Sequence, residues 1–108
     1  MTSSKLLERY DAMWRLSQHM LAAAQQAEWD RLVELEQART AIVEELKRED
    51  KIMWQATEGT KKEVLIRAIL VADAEVKLLT ESRMGELQEN LESMGTEKKL
   101  KKAYSALY

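Results

Sequence analysis

Small and apolar residues recur along the first two dozen positions at alternating steps of three and four. They are Leu7, Tyr10, Trp14, Ser17, Leu21 and Ala24, flanked by Leu6, Met13 and Met20. This spacing follows the 3.6-residue period of an α-helix and predicts one from about Ser4 to Ala24. The stripe is broad enough to face more than one neighbouring helix. A second stripe starts near Glu28 and carries Trp29, Leu32, Val33, Leu35, Ile42, Val43 and Leu46. Glu28 and Asp30 fall in its first turn, where acidic groups suit the helix dipole. Arg39 sits within the stripe, where its aliphatic stem can cover apolar surface while its head reaches water.

Between Arg48 and Thr60 the pattern weakens, and Ile52, Met53 and Trp54 fit either a helical extension or a packed loop. Gly59 reads as a helix stop, and Thr60, Lys61, Lys62 and Glu63 then have the form of a capping box. A third helix follows from about Lys61 to Ser93, which at 1.5 Å per residue is about 50 Å long. Its main stripe is Leu65, Ile69, Ala72, Val76 and Leu79, expected to face the first two helices. Ile66 and Leu70 form a second set, and Val64, Val71 and Leu78 a third. A helix apolar on several sides must be buried on several sides, and two neighbours do not suffice. Met94 and Gly95 read as the end of this helix. A short fourth helix, Thr96 to Tyr108, places Leu100, Ala103, Tyr104 and Leu107 on one face and lysines on the rest. Alone in water a helix of this length is marginal, so it must dock. The third helix is longer than the first two, and its overhang, with Met84, Leu87, Leu91 and Met94, needs cover. That cover is the fourth helix, a partner, or a second copy of the chain in a homodimer.

The expected fold is therefore all-α: an antiparallel bundle of three long helices with a short C-terminal fourth. It forms one domain, with residues 1–94 as its core bundle and residues 95–108 as a short C-terminal helix. Composition agrees, since the 108 residues include no proline and three glycines. Seventeen basic and 19 acidic residues give a net charge of −2, which supplies no general pull toward nucleic acid or an anionic membrane. No cysteine is present, so disulfides and thiolate chemistry are excluded. The most apolar stretch, Val64 to Ala72, is too short to span a bilayer. The first residues turn charged at once and lack a secretory signal, so a cytoplasmic location is expected.

Catalytic chemistry finds little support. His19 is the single histidine, too few for a zinc site. Ser17, His19 and Asp11 have nothing to orient them as a triad, and Ser17 lies on the core stripe. The isolated glycines make no phosphate loop. No catalytic residue, metal ligand or cofactor site is assigned. Lys98, Lys99, Lys101 and Lys102 read as dipole compensation and solubility rather than a nucleic-acid contact. Trp14, Trp29 and Trp54 read as core anchors.

Several stretches resemble the FliT family of flagellar export chaperones. They are Leu6, Leu7 and Tyr10, then Leu16, Ser17 and Met20 through Ala24, and above all Glu28 through Glu36, where a tryptophan–aspartate pair opens the second helix. The closing Lys101, Lys102, Ala103 and Tyr104 are also similar to the family's usual end. The resemblance implies a reversal at Gln25, Gln26 and Ala27, which no glycine or proline marks. It further implies a cytoplasmic chaperone that binds the filament-cap protein FliD before export. It implies contacts with the export apparatus (its ATPase complex and gate) and, in some members, with the flagellar master transcriptional regulator. The family's last helix covers the client-binding surface, which assigns Leu100, Ala103, Tyr104 and Leu107 to a lid. The client groove is placed on the third helix at Ile66, Leu70 and Val71, which lie off its main stripe, with the lid expected in the same groove. A structural or adaptor bundle is the alternative reading.

Overall fold

The computed structural model describes the backbone of residues 1–89 and 94–107, and the side chains of 1–86 and 98–106. Within them are four helices and no strand: α1 (Ser3–Gln25), α2 (Trp29–Glu49), α3 (Ala56–Glu89) and α4 (Met94–Leu107). The fold is an all-α bundle with a short C-terminal helix, 53 Å long and 20 by 17 Å across. Its length is that of α3, whose 34 residues rise about 51 Å.

Thr2 caps α1, its hydroxyl accepting from the Lys5 amide at 3.3 Å. The chain leaves α1 through a Schellman motif. The Ala27 amide donates to the Ala24 carbonyl at 3.2 Å, and the Glu28 amide to that of Ala23 at 2.8 Å. Ala27, between them, has φ of 57°, a left-handed conformation that glycine adopts more cheaply.

Helix α1 packs against both α2 and α3, and α4 packs against the same two helices. Among the described residues the backbones of α2 and α3 do not approach each other. Through its side chains the α3 stripe still meets both of the first two helices, Val76 packing in one cluster with Met20 of α1 and Trp29, Leu32 and Val33 of α2, and Leu65 in another with Leu6 of α1 and Leu46 of α2. Its backbone neighbours are α1 and α4, because α1 and α4 each lie between α2 and α3. The α3 stripe itself is where the period placed it, with Ile69, Ala72 and Val76 buried and Leu65 and Leu79 half-buried.

The interior is apolar at both ends and polar in the middle. Near the α1–α2 turn, Met20, Ala23, Ala24, Trp29, Leu32, Val33 and Val76 pack with Leu100 and Ala103 of α4. Leu79 and Met84 of α3 lie against them, so α4 covers part of the α3 overhang. The side chains of Leu87, Leu91 and Met94 fall outside the described residues. At the far end Leu6, Tyr10 and Leu46 pack with Met13, Ile42, Trp54, Leu65 and Ile66. Between the clusters, Arg39 of α2 donates to Asp73 of α3 at 2.5 Å and to Ser17 of α1 at 3.0 Å. The Arg39 head does not turn to water as expected, since a carboxylate and a hydroxyl compensate it inside.

Two helix boundaries also depart from the sequence reading. Gly59 does not stop a helix. It lies in the first turn of α3, where its amide donates to the Gln55 carbonyl at 2.8 Å. The Thr60 hydroxyl donates to the Ala56 carbonyl at 2.8 Å instead of capping. Gly95 lies in the first turn of α4 rather than marking the end of α3. Among the tryptophans Trp29 is buried, while Trp14 and Trp54 are half-buried.

Candidate partner-binding surfaces

Helix α4 docks through few groups. Leu100 and Ala103 are fully buried, and Tyr104 is half-buried with its hydroxyl donating to Glu81 at 3.2 Å. An ion pair joins Lys99 to Asp30 of α2 at 3.3 Å. Both of its side chains are more than half exposed, so the pair adds little. Among the described side chains of α4, burial of Leu100 and Ala103 supplies about 2–4 kcal/mol. The surface beneath α4 (Met20, Trp29, Leu32, Val33 and Val76) is continuous and apolar. The Leu107 side chain falls outside the described residues.

The expected client residues do not lie under this helix. Ile66 is half-buried against the Tyr10 cluster at the far end of the bundle. Leu70 and Val71 are 60% and 65% exposed. Lid and groove residues therefore occupy different faces, contrary to the expectation that they share one. Leu100 and Ala103 turn to the α1–α2 corner because Trp29 and Val76 form the apolar surface there. Val71 continues instead into Val64 and Leu78, each more than 60% exposed and seven residues away. These three form an uncovered stripe on the side of α3 turned away from the core.

A third feature closes the far end. The Asp50 carboxylate accepts from the hydroxyl of Tyr10, from Trp54 Nε1 at 2.8 Å and from Lys62 Nζ at 2.5 Å. The Lys62 ammonium also stands over the Tyr10 and Trp54 rings, 5.2 and 4.8 Å from their centroids. Burial opposes the charge on Asp50, but the bonds from Lys62, Tyr10 and Trp54 outweigh it and hold its carboxyl below the ordinary value. Burial, with the carboxylate alongside, pushes the Tyr10 phenol well above its own. Beside this cluster is an open cleft of about 440 Å³ lined by Trp54, Gly59, Lys62, Glu63, Ile66 and Arg67. Met53, 97% exposed, precedes Trp54 in the loop.

Little here suits catalysis. The Ser17 hydroxyl is committed to the Met13 carbonyl at 2.9 Å and to Arg39, and Asp11 to Arg15 at 2.6 Å, while His19 is exposed. Among the described residues no cluster of three metal-ligating side chains occurs, and no helix is long and apolar enough to cross a membrane. The features built into the molecule are apolar surfaces, one covered by a short helix and one bare.

Residues 7–106 match the sequence profile of the family described as flagellar protein FliT. The flagellar protein FliT of Cronobacter sakazakii (strain ATCC BAA-894) is 31% identical over 101 residues, covering 94% of this chain and 84% of that protein. No solved structure matches at a significant level. With its helical fold and a match spanning nearly its whole length, the chain belongs to the FliT family of flagellar proteins.

Proposed function

We propose that this protein is a cytoplasmic export chaperone that holds the flagellar filament-cap protein before its export, with α4 as a displaceable cover over the client site. The observation that carries this reading is the mismatch beneath α4. A continuous apolar surface is covered by a short helix of whose described side chains Leu100 and Ala103 are buried. A surface of that kind suits an amphipathic client helix laid into a groove. A tethered cover competes at an effective concentration near the millimolar range, so weak docking still regulates access. Contacts with the export ATPase complex, the export gate and the flagellar master regulator belong to the same proposal. The exposed Leu70 and Val71, with the half-buried Ile66 beside them, are proposed as a second contact surface.

That bare stripe supports one other reading, an adaptor or homodimer joined through α3. Titration calorimetry with purified filament-cap protein separates the two. The chaperone reading predicts a saturable complex in which client binding does not require a dimer of this chain. No heat of binding, together with a stable dimer, would favour the adaptor.

A further inference from the structure

Trp29 is 2% exposed, and its indole Nε1–H meets no acceptor among the described residues. Among the described residues it is the single buried side-chain polar atom in that condition. The Trp54 indole, by contrast, donates to Asp50. A buried N–H without an acceptor forfeits its bond to water and gains nothing in return. The unpaired N–H is thus a cost that a purely apolar aromatic such as phenylalanine would not carry at this position. Its cluster consists of Met20, Ala23, Ala24, Leu32, Val33 and Val76 together with Leu100 and Ala103 of α4. All these side chains are apolar, and of the described α4 residues Leu100 and Ala103 bring shape to the site but no acceptor.

We infer that the Trp29 indole N–H is a recognition point, and that the partner helix replacing α4 carries a side-chain amide oxygen, from asparagine or glutamine, opposite it. This inference rests on the reading of α4 as a displaceable cover. A neutral acceptor fits the apolar surroundings, where an unpaired carboxylate would carry a heavy desolvation cost. The unmade bond does two things. It keeps α4 a weak competitor, and it gives the site a means of discrimination, because a surface with a buried donor disfavours an occupant that leaves it unpaired.

Two arms test this on the intact, ¹⁵N-labelled chain, with the three indole signals assigned through Trp14→Phe and Trp54→Phe. In the first arm an acceptor is placed on α4 itself, by Leu100→Gln and by Ala103→Ser. At least one of them should move the Trp29 indole proton downfield and slow its exchange with solvent about tenfold, as one added hydrogen bond of ordinary strength does. An unmoved signal in both variants overturns the inference. In the second arm purified filament-cap protein is added to the wild-type chain. The Trp29 signal should shift downfield on binding, and Trp29→Phe should bind about tenfold more weakly, with Trp14→Phe unaffected. A complex in which the Trp29 signal stays unbonded also overturns it, and this readout needs no folded Trp29 variant. If the cap protein does not bind at all, the chaperone reading fails, while the first arm still decides whether the indole can be paired from the position of α4.

Discussion

Ala27 adopts a left-handed conformation that costs an alanine about 1 kcal/mol relative to glycine. After the roughly 0.4–1 kcal/mol greater entropy of the unfolded glycine chain is subtracted, Ala27→Gly should stabilise the protein by at most about 0.5 kcal/mol, read as a slightly higher urea midpoint at unchanged slope. The turn was not legible in the residues themselves, since its hydrogen bonds are made by the backbone and a polar Gln-Gln-Ala run resembles helix. Asp50 was equally hidden. Its partners stand 40, 4 and 12 positions away in the chain, and periodicity does not report such distances. Because its folded carboxyl titrates below its unfolded value, its stabilisation is complete above the ordinary carboxylate range. It is lost as pH falls through the folded value, below about pH 4. Asp50→Asn should cost about 1–3 kcal/mol at neutral pH and flatten the acid side of a stability-against-pH curve. An unchanged acid limb would remove Asp50 from the account.

At the scale of elements, α3 is the informative helix, because it is apolar nearly all round. Ile69 is 5% exposed and Leu70 60%, one residue apart. Ile69→Ala should cost about 2–5 kcal/mol in chemical denaturation and Leu70→Ala under about 0.5 kcal/mol. Equal losses would mean that the exposed side of α3 is covered in solution. Periodicity separated these two positions correctly, since a 100° step per residue sorts a core side from its neighbour. It misplaced the start of α3, because Gly59 is a poor helix former and reads as a stop, yet its amide is bonded to the Gln55 carbonyl within the first turn. It also missed the tie between α2 and α3. An arginine inside an apolar stripe reads as a solvated head until Asp73 and Ser17 are brought beside it.

For the whole molecule, the number and order of helices were legible in the period and in the scarcity of breakers. Which helix neighbours which was not, because an apolar stripe states that a face is buried and not against what. The separation between the surface under α4 and the bare stripe on α3 follows from that packing, and α4 covers the first of them only. Leu100→Asp places a charge in the apolar cluster and should release α4 while α1, α2 and α3 stay packed, seen as an unchanged main melting transition. The most direct test is the dissociation constant of purified filament-cap protein for the intact chain and for Leu100→Asp. If docked α4 outweighs the open form by about 1.4 kcal/mol, the variant should bind about tenfold more tightly. Equal or weaker binding by a folded Leu100→Asp protein would contradict a cover over the client site.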